Sequence, residues 1–185
     1  MPLPEAAAAH AMGEEHILPD VLAPGLSIVF CGTAAGTESA RRRAYYAHPQ
    51  NRFWRVLHEA GLTPRRLAPA EFALLPDFGL GLTDIAKYVS GMDSQLPRGA
   101  LGRAPCEALF ARIALATPGI LAVPSLTAGR RYLGRDGAGY GPQPERIGET
   151  AIWLLPSPSP TATWKWDRAP WLALGEAAKA QRNRF

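Results

Sequence analysis

Continuous apolar runs that stop at glycine or proline constrain this chain most. "LSIVFCG" (26–32), "GILAVPS" (119–125) and "TAIWLLPSPSP" (150–160) are apolar throughout rather than at alternate positions. That pattern belongs to strands buried on both faces. "LGLTDIA" (80–86) reads as a fourth, short strand. Helical spacing fills the intervals. "NRFWRVLHEAG" (51–61) puts Phe53, Trp54, Leu57 and Ala60 on one side and closes on Gly61, as a helix with a glycine cap does. "PAEFALLPDFG", "ALGRAPCEALFARIALATP", "LTAGRRYLG" and residues 167–182 give four more helices, and "RDGAGYGPQP" reads as a glycine-rich loop. Strands alternating with helices predict an α/β fold, a mainly parallel four-stranded sheet between two helical layers.

With 185 residues, 47% of them hydrophobic, the chain suffices for one well-filled domain, expected over 17–185 behind a flexible tail at 1–16. Cys31 and Cys106 are the only cysteines, which excludes a four-cysteine cluster or zinc site and suits a reducing compartment. The opening residues carry no secretory apolar region, and no run reaches the ~18 residues of a membrane span. A cytoplasmic monomer with no membrane partner is expected. The net charge of +4 favours a polyanionic partner.

In open α/β sheets ligands bind at the carboxyl ends of the strands. Three stretches therefore matter: 32–49, 83–97 and 156–166. In the first, Gly32, Thr33, Ala34, Ala35 and Gly36 leave room for backbone amides to approach a flat ligand. No phosphate-loop or dinucleotide fingerprint is present. Tyr45 and Tyr46 either stack on a base, a contact worth about 1–3 kcal/mol, or pack in the core. Arg41, Arg42 and Arg43 either neutralise phosphates or form a solvated turn. In the third stretch, "PSPSPTATWKW", prolines stiffen a tip whose Ser157 and Ser159 suit phosphate oxygens, beside Trp164, Lys165 and Trp166.

The strand end "FCG", the run "YYAHPQNRFW" and the late "LPSPSP" resemble the uracil-DNA glycosylase superfamily, most closely its mismatch-specific uracil/thymine branch. That branch carries G-I-N-P-G followed by F-A-H-P-x-N-R-F-W. The resemblance spans residues 18–180. It implies an α/β/α sandwich, DNA as partner, extrusion of a base from the duplex, and hydrolysis of its N-glycosidic bond with no cofactor or metal. Residue by residue, it implies that Tyr46 stacks the base, Gly32 to Gly36 wrap it, and Asn51 matches the asparagine of N-R-F-W. The Ser157 loop would press on the DNA, and His48 would hold a positioning role.

The sequence departs from the pattern at Ala34, where that branch has asparagine to hold the attacking water. Asp84, expected at a strand end facing the same crevice, is the leading substitute, unless it caps a helix. Glu38 is the rival, and Asp93 a weaker one on an exposed loop. Lys87 either contacts phosphate or is solvated. A uracil-releasing glycosylase is the leading expectation. A protein that only holds damaged or abasic DNA, or a nucleoside hydrolase, are the alternatives.

Overall fold

The computed structural model describes residues 15–182, so most of the expected N-terminal tail lies outside the described residues. The order of elements is β1 (Ile28–Ala35), α1 (Thr37–Arg42), α2 (Phe53–Glu59), a 3-10 helix (Pro69–Phe78) and β2 (Leu80–Ser90). Then follow α3 (Arg103–Ala116), β3 (Ile120–Val123), α4 (Leu126–Leu133), β4 (Gly141–Ile147) and β5 (Thr150–Leu154). A 3-10 turn (Pro160–Lys165) and α5 (Ala169–Arg182) close the chain.

The strands form one sheet in the order β2-β1-β3-β5-β4. The β1–β2, β1–β3 and β3–β5 pairs are parallel. β4 pairs antiparallel with β5, so the sheet has five strands rather than the four expected. The extra strand comes from the stretch read as a glycine-rich loop. Its sequence, GPQPERI, holds two prolines and few apolar residues. Prolines are tolerated there because β4 is an edge strand with one unpaired side. β2, at the other edge, is shielded. Val21 and Leu82 exchange both backbone hydrogen bonds, and the Ile17 amide donates to the Lys87 carbonyl at 2.8 Å.

Helices cover both faces, completing the α/β/α sandwich. One core joins Ile28 and Phe30 of β1 to Phe53, Trp54 and Leu57 of α2 and Trp171 and Leu174 of α5. The other joins Val29 and Cys31 to Leu109 and Ile113 of α3 and Tyr132 of α4. Among the described residues no helix is long and apolar enough to cross a membrane.

Two boundaries shift the readings near the site. β1 continues to Ala35, so Gly32 to Ala35 are strand rather than loop, and α1 follows at once. β2 runs to Ser90, which places Asp84 mid-strand rather than at a strand end. β3 pairs with β1 only as far as Phe30. Among the described residues the side of β1 facing β3 is therefore unpaired from Cys31 onward, at the point where the connection after β1 runs to one side of the sheet and that after β3 to the other. That is where such folds bind ligands.

Trp171 couples this core to the site. Its ring is fully buried and stacked on Phe30 at 5.7 Å, and its indole N–H donates to the Pro156 carbonyl at 3.0 Å. Trp171→Ala should cost about 3–5 kcal/mol, as large core truncations do, read as a lower urea midpoint with an unchanged slope.

Candidate active site

The register of β1 against the edge strand β2 builds the site. Gly32 of β1 lies directly beside Asp84 of β2. A methyl group on Gly32 would meet Asp84 Oδ1 at 2.5 Å and the Tyr46 hydroxyl at 3.6 Å. The carboxylate therefore occupies the space that the missing side chain leaves, and Tyr46 closes the same niche. Gly32 is needed here because a carboxylate covers it, not because of a turn. Asp84 is 4% exposed, and its carboxylate caps no helix.

Tyr46 is held hard. Its backbone sits in the left-handed region at φ 51°, a conformation costing on the order of 1–3 kcal/mol for a non-glycine residue. One face of its ring stacks on Phe53 at 3.8 Å and 15°. The residue is only half-buried, yet its hydroxyl is buried with no hydrogen-bond partner among the described residues. Burial, reinforced by the nearby Asp84 charge, pushes this phenol far above its ordinary pKa, so it stays protonated. The structure thus brings Gly32, Asp84 and Tyr46 together.

A buried ionic cluster backs the niche. Lys87 is 4% exposed, and its Nζ lies 2.7 Å from Asp20 Oδ1 and donates to the Tyr45 hydroxyl at 3.2 Å. Asp20 also accepts from the Thr83 hydroxyl at 2.7 Å and faces Arg112 Nε at 3.3 Å. Arg112 Nη2 donates to the Asp84 backbone carbonyl at 2.8 Å. Lys87 is accordingly neither solvated nor free for phosphate. Two cations face one carboxylate from Asp20, so the cluster is neutral only when Asp84 is ionised. Burial raises the Asp84 pKa to about 6, while Lys87 and Arg112 pull it back down. Sequence reasoning missed Asp20 and Arg112 because the cluster joins positions far apart in the chain, none carrying a local motif.

The remaining predicted residues sit around this centre. Thr33 alternates to the opposite face of β1 and donates to Asp93. Ala34 and Ala35 continue the strand, Ala34 in register with Ala86. His48 Nδ1 accepts from the Gln50 amide at 3.1 Å, and Asn51 Oδ1 accepts from the Phe53 amide at 2.9 Å. Both side chains thus brace the entry to α2. The Glu38 carboxylate is clamped by Arg41 at 2.8 Å and Arg42 at 3.1 Å, its pKa lowered to about 2 by hydrogen bonding to Arg41 first. Arg43 lies 3.4 Å from Glu15. All three arginines already have acidic neighbours.

The Ser157 loop is stiffened from within. Ser157 Oγ accepts from the Ser159 amide at 3.3 Å, and Ser159 Oγ caps the following 3-10 turn through the Thr161 amide at 3.4 Å. Lys165 lies over the Trp164 ring at 4.3 Å, and Trp164 is 80% exposed. Arg52, part of the N-R-F-W run but given no role in the sequence reading, ties this loop to α2. Its amide donates to the Pro158 carbonyl at 3.0 Å, and its guanidinium donates to the Ser159 carbonyl and the Thr163 hydroxyl, each at 3.2 Å.

A mostly parallel sheet between helical layers, with a glycine-floored acidic niche between β1 and β2, places the chain among open-sheet α/β proteins. The family model of the Uracil DNA glycosylase superfamily matches residues 19–177, and the chain belongs to that superfamily. A solution NMR structure of a Methanosarcina acetivorans protein, described as a candidate uracil DNA glycosylase, shares the fold. It superposes with a TM-score of 0.57 at 20% sequence identity, over 88% of this chain and 96% of that chain. Family membership supports a glycosylase-type function directed at DNA.

The raised Asp84 pKa has a consequence for stability. Folding favours its protonated form, so the penalty is absent below the ordinary value of 3.8 and complete above about 6. Asp84→Asn should therefore stabilise the fold at pH 8 by about 3 kcal/mol or less. Urea midpoints for the two proteins should converge as the pH falls below about 4.

Proposed function

We propose that this protein is a monofunctional DNA glycosylase that flips uracil out of DNA and hydrolyses its N-glycosidic bond, leaving an abasic site. The observation that carries the reading is the uncommitted, buried carboxylate of Asp84 above Gly32, facing the Tyr46 hydroxyl.

In this reading the extruded base lies on the ring face of Tyr46 that Phe53 does not cover. Backbone groups on the open side of β1, from Cys31 to Ala35, face the base edge, with His48 and Asn51 shaping the rim. The bond between the sugar C1′ and the base nitrogen breaks, and its electron pair leaves with the base. The sugar becomes oxocarbenium-like, and a negative charge nearby stabilises it. Asp84, ionised above about pH 6, supplies that charge, orients a water toward C1′ and takes its proton as the new C–O bond forms. The Tyr46 hydroxyl, a donor without a partner among the described residues, steadies the same water. Nothing in these steps calls for a metal or cofactor.

Glu38 is a poor rival, because two guanidiniums already hold its carboxylate. Ser157, Ser159 and Lys165 are assigned to phosphates, and exposed Trp164 to the space that the base vacates, whereas Arg41 to Arg43 keep their acidic neighbours Glu38 and Glu15. A second reading, a protein that holds uracil or abasic DNA without turning it over, draws on Ala34, where the usual water-holding side chain is missing.

Oligonucleotides carrying uracil, thymine mismatches, hypoxanthine or ethenocytosine, single- and double-stranded, separate these readings when treated with alkali after incubation. The wild-type chain should release uracil. Asp84→Ala should lose about 10²–10⁴-fold in single-turnover rate while retaining affinity for the same DNA. The wild-type rate should fall tenfold per pH unit below about 6. No release from any substrate, with binding intact, would leave the holding protein as the better description.

Tyr46→Phe separates the hydroxyl from the ring. Removing a buried donor that has no partner should leave stability equal or slightly higher. The single-turnover rate should drop while affinity for uracil-containing DNA persists. An unchanged rate would remove the hydroxyl from the mechanism.

A further inference from the structure

Beside the niche lies a groove of about 400 Å³ that the sequence did not point to. One wall is Pro49 to Asn51, the residues that follow His48. The other is Pro160 and Thr163, which follow the Ser157–Ser159 tip. Arg52, Arg55 and Arg66 line it between those walls. We propose that this groove is a track for the phosphodiester backbone of the DNA strand that carries the extruded nucleotide. The inference rests on the glycosylase reading and extends it to residues outside the reacting centre.

The charge pattern favours a polyanion. The lining includes three guanidiniums and no carboxylate. Arg66 has no ion-pair partner among the described residues, in contrast to its neighbour Arg65, which pairs with Glu71 at 2.7 Å. Arg55 approaches Glu59 only at 3.6 Å and is exposed. Arg41 to Arg43, by comparison, spend their charge on Glu38 and Glu15. An uncharged ligand would leave Arg66 uncompensated and Arg55 only loosely paired, whereas phosphates at backbone spacing match both.

The position of the groove adds direction. Phe53, one residue beyond Arg52, is the ring on which Tyr46 stacks. Arg52 joins both walls through its bonds to Ser159 and Thr163 and lies over the Trp166 ring at 5.3 Å. A strand leaving the base site between the two walls would run along this floor. Arg52 is the strut of the groove, Arg66 its charge without an ion-pair partner among the described residues, and Arg55 a charge paired only loosely, with Glu59. This division of labour decides the test, because Arg55→Ala and Arg66→Ala remove charge without touching the loop.

The experiment measures fluorescence anisotropy of a labelled duplex carrying a stable abasic analogue, with the full chain, between 50 and 200 mM KCl. The Arg55→Ala/Arg66→Ala double variant should bind more weakly at low salt. Its slope of log affinity against log salt should be shallower by about 1.8, two phosphates at roughly 0.9 each. Arg131→Ala/Arg146→Ala removes the same net charge from α4 and β4 and should keep the wild-type slope. An unchanged slope in the groove variant overturns the proposal, as does an equal change in the control pair. The readout needs no turnover, so the groove stands or falls separately from base release.

Discussion

The architecture of this site depends on one close approach, a carboxylate lying on a glycine across two parallel strands. Asp84 and Gly32 are register partners, and the space over the Gly32 Cα is where the carboxylate sits. Any larger residue at 32 would evict the acid. A one-residue slip of β2 would turn the acid to the other face. The backbone bridge of Val21 to Leu82 along the outer edge of β2 helps hold that register.

Burying a carboxylate at this depth is costly unless charge is balanced nearby. Lys87 and Arg112, both tied to Asp20, supply the balance from behind. The arrangement leaves Asp84 ionisable near neutral pH while its side-chain oxygens meet no donor among the described residues. A residue in that condition is poised to take a proton from something else. The strained backbone of Tyr46 and its unpartnered hydroxyl point to the same space, so two independent costs converge on one niche.

Much of this was legible in the chain. The apolar runs at 26–32, 119–125 and 150–155 announced the parallel strands, because strands buried on both faces cannot hide their composition. The edge strand β4 was not legible, since an exposed edge tolerates prolines and charges that read as loop. Asp84 could be picked out as a lone acid among apolar residues and glycines, and the structure places it beside Tyr46. Its position mid-strand was not foreseen, because the strand reads as ending at Ala86, before the charged Lys87, whereas β2 carries that lysine buried and continues to Ser90. The cluster of Asp20, Lys87 and Arg112 and the strut Arg52 were invisible for a different reason. Their meaning lies wholly in contacts between distant segments.

Ala34 lies two residues beyond Gly32, on the same face of β1 as Asp84 covers. An asparagine there would address the same niche from the neighbouring strand. The central claim is that Asp84 performs the water-holding task that position 34 has given up. The most direct measurement compares single-turnover uracil release by Asp84→Asn with that of the Ala34→Asn/Asp84→Asn double variant. Loss in the first and partial recovery in the second is the predicted result. Release at the wild-type rate by Asp84→Asn alone would contradict it.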